Sequence, residues 1–284
     1  MENDIIIANK QLLDEKIQKF KEDGVDKVHI VSDFDKTLTH FIVNEEEVSS
    51  VMLSLRKSNY LTPDYATKAE EIQNKFYPLQ IDPNVSIEVK KSNLLKWWDE
   101  HYKLLGECGL SKKALQGVVD TNRYIFRDGY QEFFKILDNY NIPLTIVTAN
   151  GLGEDIIKMI FDKFKIDYGK INLIANKFVW DNNGNFVKLL YPIVNTINKD
   201  DAMKQDERMQ KLAEQKCNII LIGDREKDLG MAKNIKYKNI IKVGYLNEKE
   251  EELFEEYSNK FDIVITNDQG LETISNILKR IAIS

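Results

Sequence analysis

Val28-His29-Ile30-Val31-Ser32-Asp33-Phe34-Asp35-Lys36-Thr37-Leu38-Thr39 is the stretch that decides the fold. Its first four residues are apolar apart from His29 and rich in β-branching, which is how a short buried strand reads. The run stops at Ser32. Asp33 and Asp35 follow two residues apart, with the hydroxyls of Thr37 and Thr39 beside them. Side chains two apart share a face if the strand continues and diverge if the chain turns. Two carboxylates at close range repel and require a cation or a shared proton. In parallel α/β sheets the C-terminal end of a strand is where ligands bind. Asp-x-Asp alone is common in surface loops, but a strand before it and Thr-Leu-Thr after it argue for a site.

The 284 residues suffice for one large domain or for a core with a second domain inserted. With 43% hydrophobic and 30% charged residues, the composition suits a soluble globular protein. The net charge is −6 and no basic block stands out, which argues against nucleic acid as the main partner. Small phosphorylated substrates stay open, because a metal and one lysine neutralise them locally. Cys108 and Cys217 lie far apart and show no metal spacing, as expected of a reduced, intracellular chain. The apolar run Ile5-Ile6-Ile7 is too short for a signal segment, and no stretch approaches a membrane span. A cytoplasmic protein with no membrane partner is expected, as a monomer or weak dimer.

Outward from the first strand, two patterns alternate. Leu12, Leu13, Ile17 and Phe20 recur at helical spacing before it, and Gly24 ends that helix. From Glu45 to Phe126 strand-like runs vanish and helical periodicity takes over, punctuated by Pro63, Pro78 and Pro83. From Arg127 the α/β alternation returns. Strands are expected at 143–147, 171–175, 218–222, 240–243 and 262–265, with a hairpin around Asn182-Asn183-Gly184 and one helix over 199–214. The expected fold is α/β: a doubly wound, mostly parallel, Rossmann-like sheet formed by 1–44 and 127–284, with 45–126 inserted as a helical cap.

Three of these strands end in reactive residues: Asp33 and Asp35, Thr148, and Asp224. Strand ends of a parallel sheet lie together, so residues distant in sequence converge there. Lys199, at the start of a helix, is able to join them. The chemistry that uses such a set is phosphoryl transfer through an aspartyl-phosphate. One carboxylate attacks phosphorus, and a second protonates the leaving alkoxide and then deprotonates water. A hydroxyl, backbone N–H groups and an ammonium hold the phosphate. A hard cation bridging carboxylate and phosphate oxygens removes their repulsion, and oxygen ligands favour Mg²⁺. A solvated charge at a helix start is the lesser reading of Lys199, whereas Asp228 reads equally as a helix-cap acid and as a metal-site acid. Trp97, Trp98 and Tyr102 are spaced like core, while Phe41 sits at the cap junction within reach of a ligand.

Taken together, these residues resemble the haloacid dehalogenase superfamily. Its four motifs match Asp33-Phe-Asp-Lys-Thr37, Thr148 after a strand, Lys199, and Gly223-Asp224 followed by Asp228, in order. Ile81-Asp-Pro83, Arg127-Asp-Gly-Tyr130, Asn218 to Asp224 and Ile241-Lys-Val-Gly-Tyr-Leu-Asn247 narrow the resemblance to the cytosolic pyrimidine 5′-nucleotidases of type III, from Val28 to the C-terminus. The resemblance implies a Mg²⁺-dependent hydrolase of nucleoside 5′-monophosphates, pyrimidine ones preferred. It implies Asp33 as nucleophile and Asp35 as general acid/base. Mg²⁺ is held by Asp33, the Asp35 carbonyl and Asp224, with Asp228 in support. Thr148, Ala149 and Lys199 bind the phosphate under a closing cap.

Two departures bear on the base. Gln80 stands where the family has a base-reading glutamate, and His101 where it has a serine. An amide both donates and accepts, so a keto base is better tolerated. The second motif also departs, reading Thr148-Ala149-Asn150-Gly151 in place of Ser-Ala-Gly. Alternatives within the same fold are a phosphatase for 7-methylguanosine monophosphate or another small phosphate ester. A catalytically idle nucleotide-binding protein is the alternative from a different class.

Overall fold

The computed structural model describes residues 4–233 and 235–283. The chain starts with β1 (Ile5–Ile7), α1 (Lys10–Asp23) and β2 (Val28–Ser32). A small hairpin, Ile42–Val43 with Glu46–Glu47, then leads into α2 (Val51–Lys57), α3 (Tyr65–Ile81), α4 (Ile87–Glu107) and α5 (Lys112–Asp120). Next come α6 (Tyr130–Asn139), β3 (Leu144–Val147), α7 (Gly153–Lys163) and β4 (Asn172–Ile174). A second hairpin, Lys177–Trp180 with Phe186–Leu190, precedes α8 (Lys199–Gln205), α9 (Glu207–Gln215) and β5 (Asn218–Gly223). A 3₁₀ segment (Glu226–Ala232), β6 (Asn239–Tyr245), α10 (Glu250–Lys260), β7 (Ile263–Ile265) and α11 (Glu272–Ala282) complete it.

The large sheet pairs in the order β1-β7-β6-β5-β2-β3-β4. Its pairs are parallel except at the β1 edge, which runs antiparallel to β7. Both faces are covered, and this is why β2 and β5 read as unbroken apolar runs. Side-chain alternation sends Ile220 and Ile222 of β5 to the face shared with Phe20 of α1 and Ile274 of α11. Ile219 and Leu221 go to the other face, against Met203 of α8 and Met209 of α9. The register sets Ser32 opposite Ile222 on one side and Ile146 on the other. Asp33, Thr148 and Asp224 therefore leave the sheet along one edge. Asp33 N donates to Ile222 O and Thr148 N to Ile174 O, both at 3.0 Å.

Helices α2 to α5 sit between β2 and β3 in the chain and pack on that edge. The two connecting segments cross side by side: Thr39 bridges Phe126, His40 N donates to Ile125 O (3.0 Å), and Arg127 N to Leu38 O (2.9 Å). The second hairpin reaches up to the insert. Phe186 N donates to Leu110 O (2.9 Å), Lys112 N to Gly184 O (2.8 Å), and the Tyr191 hydroxyl to Asp99.

Three details differ from the sequence expectation. The helix expected over 199–214 is two, broken at Asp206, whose carboxylate accepts from Met209 N (2.7 Å) and from Asn172 Nδ2 (3.0 Å). An acid that caps a new helix while holding a neighbouring strand outweighs continued periodicity. Pro78 lies inside α3, which continues to Ile81 instead of stopping near Phe76. Ile5–Ile7 is an edge strand; its pairing partner, β7, lies at the far end of the chain.

Candidate active site

The edge of the sheet gathers four acids around one lysine. Lys199, in the first turn of α8 and only 7% exposed, places Nζ 2.7 Å from Asp33 Oδ1 and 2.7 Å from Asp228 Oδ1. Asp228 Oδ2 also accepts from Arg225 N at 3.0 Å, so Asp228 is both a turn cap and a site acid. Gly223 permits this approach, because a Cβ there would lie 2.5 Å from Asp228 Cβ. Asp33, Asp224 and Asp228 each present an oxygen within 4.8 Å of the others. Asp35 diverges from Asp33, as expected where the strand has ended, and receives Asn150 Nδ2 at 3.0 Å.

The electrostatics follow from burial and crowding. Burial raises Asp33, the Lys199 ammonium opposes that, and Asp228 adds to it. Lys199 is lowered by burial, yet Asp33 and Asp228 outweigh the burial and hold it above the ordinary lysine range. Lys199 Nζ, 2.7 Å from an oxygen of each carboxylate, forms a buried ion pair that favours the ionised form of Asp33 against its burial. Burial pushes Asp224 well up, with Asp33 and Asp228 repelling its charge. Burial likewise raises Asp35, against the Asn150 hydrogen bond. Three carboxylates with hard oxygen donors, Asp33 and Asp228 buried and Asp224 partly so, carry more negative charge than one ammonium offsets, which fits a divalent cation.

A cavity of about 470 Å³ opens over this set, lined among others by Asp33, Asp35, Thr148, Ala149, Lys199 and Asp224. Thr148 Oγ1 accepts from Asn150 N at 3.1 Å, which folds the loop back on itself. The insert presses on that loop: a Cβ at Gly151 would lie 2.7 Å from Met52 Cε and 2.9 Å from Trp98 Cη2.

The other expected ligand residues stand apart from the cavity. Gln80 is half-buried near the end of α3 and does not line it. His101 is fully buried inside the insert, its Nε2 3.0 Å from the Tyr65 hydroxyl and its ring in edge contact with Trp97 and Trp98, at centroid distances of 6.0 and 6.2 Å. Trp98 stacks on Tyr102 with ring centroids 5.2 Å apart, as packing. Phe41 is buried under Lys36 Nζ, 4.6 Å above its ring, and its N–H donates to Asp268 Oδ1 at 2.8 Å.

Two site residues escaped the sequence reading. Asn150 was noted only as a loop departure. Arg127, fully buried, donates to Lys36 O (2.7 Å), Thr37 O (2.8 Å), Gln269 O (2.7 Å), Asn247 Oδ1 (2.9 Å) and Asp268 Oδ1 (2.8 Å). It ties the turn after Asp35 to the far loops. The one signal for it was its place in Arg-Asp-Gly at the return from the insert.

Comparison with known proteins bears on the family and the fold. The family model for pyrimidine 5′-nucleotidase (UMPH-1) matches residues 36–282. The 7-methylguanosine phosphate-specific 5′-nucleotidase A of Xenopus laevis is 33% identical over 268 residues, 94% of this chain and 92% of that one. The 7-methylguanosine phosphate-specific 5′-nucleotidase of Gallus gallus is 31% identical over 266 residues, 93% and 91% of the two chains. Among solved structures, cytosolic 5′-nucleotidase IIIB bound to cytidine has the same fold, with a TM-score of 0.86 at 21% identity, over 99% of this chain and 94% of that one.

Proposed function

This chain belongs to the pyrimidine 5′-nucleotidase (UMPH-1) family, a family of phosphoric monoester hydrolases, and we propose that it cleaves nucleoside 5′-monophosphates, pyrimidine ones preferred, to nucleoside and phosphate. The observation that carries the reading is the Lys199 ammonium bridging Asp33 and Asp228, with Asp35 turned to the other side of the same cavity.

In this reading Asp33 is the nucleophile. Its free oxygen attacks phosphorus, the P–O5′ bond breaks, and Asp35 gives its proton to the departing O5′. Asp35 then takes a proton from water, water attacks phosphorus, and the Asp33–phosphorus bond breaks to release phosphate. Burial keeps Asp35 protonated more readily than an exposed acid, which suits the first step. Thr148, Ala149 N–H and Lys199 hold the phosphate oxygens. Asp33, Asp224, the Asp35 carbonyl and, in support, Asp228 would hold Mg²⁺, which supplies charge neutralisation between carboxylate and phosphate. Residues 45–126 act as a cap over a core of 1–44 and 127–284, excluding water from the first step. Gln80, His101 and Phe41 do not line the cavity, so any part they take in base selection is indirect, through the packing of the insert and its hinge. A cytoplasmic monomer or weak dimer is the setting.

Among the described residues no helix is long and apolar enough to cross a membrane. A second reading has specific support: relatives covering more than nine-tenths of both chains are named for 7-methylguanosine phosphate. A panel of UMP, CMP, 7-methylguanosine monophosphate and a sugar phosphate, with and without Mg²⁺, separates the two. Preference for 7-methylguanosine monophosphate selects the second reading. Equal rates on the sugar phosphate count against base recognition. Asp33→Asn is expected to abolish phosphate release with the fold intact, and undiminished release would sink the mechanism.

A further inference from the structure

Asn150 lies two residues past Thr148 in the loop that follows β3. Among the described residues its amide is the only group that donates a hydrogen bond to the Asp35 carboxylate, at 3.0 Å to Oδ2 and 3.4 Å to Oδ1. The orientation of that amide is fixed by its other end. Leu152 N–H, which can only donate, points at Asn150 Oδ1 (2.9 Å) and leaves Nδ2 to face Asp35. The backbone is fixed as well. Asn150 N donates to Thr148 Oγ1 (3.1 Å), and Asn150 O accepts from Asn176 Nδ2 (3.2 Å), a side chain that also donates to Val194 O and is fully buried. With 3% of its surface exposed, Asn150 has no room for another rotamer without breaking these contacts.

We propose that Asn150 is a positioning residue for proton transfer: its amide clamps the Asp35 carboxyl so that the other oxygen faces the oxygen leaving phosphorus. The inference rests on the reading of Asp35 as general acid and adds a residue to it. Asp33, by contrast, is held by Lys199, so each of the two acids two residues apart has its own anchor, one from the first turn of α8 and one from the loop after β3. The step served is the breaking of the P–O5′ bond. The bonding pair goes to O5′, the proton passes from Asp35 to O5′, and the new bond forms between Asp33 and phosphorus. An alkoxide needs that proton in order to leave, whereas p-nitrophenolate does not. A carboxyl free to rotate loses alignment with O5′ and leaves phosphate binding unchanged.

The test compares the full chain with Asn150→Asp, Asn150→Ala and Asp35→Asn, on UMP, 7-methylguanosine monophosphate and p-nitrophenyl phosphate. Asn150→Asp keeps an acceptor for Leu152 N–H but sets a second carboxylate against Asp35 in place of the donor; Asn150→Ala removes the donor without adding charge. For both, kcat on the preferred nucleotide is expected to fall about tenfold to a hundredfold, with KM within about twofold of the unaltered chain. The pre-steady-state burst of p-nitrophenol keeps its rate. Unchanged kcat in either folded variant, or a burst slowed as much as nucleotide turnover, overturns the positioning role. Asp35→Asn tests the underlying reading separately. If it retains nucleotide turnover, Asp35 is not the proton donor; if it loses turnover while Asn150→Asp does not, only the inference about Asn150 fails.

Discussion

The sheet edge and the interior of the insert both bury polar side chains, and they satisfy them differently. At the edge, Lys199, Asp33, Asp228, Asp35, Asn150 and Arg127 each have a partner at 2.7 to 3.0 Å; the Thr37 hydroxyl and the Asp224 carboxylate, which has Arg225 Nε at 3.7 Å, are exceptions. In the insert, Arg56 Nε, Trp97 Nε1, His101 Nδ1 and the Tyr102 hydroxyl are buried without a hydrogen-bond partner among the described residues. An unsatisfied buried group costs about 1–3 kcal/mol. The edge is therefore over-determined, as chemistry within a fraction of an ångström requires. The insert is held by aromatic packing, which tolerates change more readily. On the proposed reading the reaction belongs to the core, and discrimination between bases is left to the insert.

The sharpest way to break that contrast is at Lys199. Lys199→Met leaves Asp33 and Asp228 facing each other without their shared cation. Turnover on every phosphate ester is expected to fall on the order of 10³-fold, since the loss is independent of the base. A loss confined to nucleotides would assign Lys199 to recognition and erase the division between the two regions.

Arg127 tests how far the edge depends on remote support. Arg127→Met strands the carbonyls of Lys36, Thr37 and Gln269 and removes a buried partner of Asp268. A loss of about 3 kcal/mol is expected in denaturant unfolding, with lowered turnover because the turn after Asp35 loosens. Unchanged stability would mean that the turn holds itself.

A smaller effect compares the two regions through their buried histidines. His29, on β2 with Nε2 2.9 Å from Thr145 Oγ1, is pushed down by burial to about 3 from 6.5. His101, in the insert, is pushed down by burial to about 4 from 6.5. Both are neutral in the folded chain and take a proton on unfolding below pH 6.5, so the unfolded state binds more protons. Stability from each is fully present above pH 6.5 and is lost as pH falls, through about 4 for His101 and about 3 for His29. The slope is up to about 1.4 kcal/mol per pH unit for each. His29→Gln and His101→Gln are each expected to flatten the acid limb of urea unfolding, and an unaltered limb would contradict the assignment.

What was legible in the sequence was whatever one element carries by itself. β2, β3 and β5 announce themselves as apolar runs because both of their faces are covered. Asp33, Thr148 and Asp224 were legible because a parallel sheet forces its strand ends together. The partners that arrive from elsewhere were not. Asn150 resembles any polar turn residue until Leu152 N–H and Asp35 are seen on its two ends. Arg127 is a lone cation in the sequence, and its acceptors lie as far off as Gln269. His101 and Gln80 illustrate the converse. A position aligned with a family's base reader carries no information on whether the new side chain faces the cavity, and packing against Tyr65, Trp97 and Trp98 turned His101 into the insert.

The central claim is that Asp33 attacks phosphorus, and a rapid acid quench tests it most directly. The chain is mixed with Mg²⁺ and its preferred nucleotide, stopped within a turnover, and mapped by peptide mass. A phosphoryl group on the peptide carrying Asp33, absent in Asp33→Asn, is the expected result. Phosphate release with no covalent adduct, or an adduct on another peptide, would contradict it.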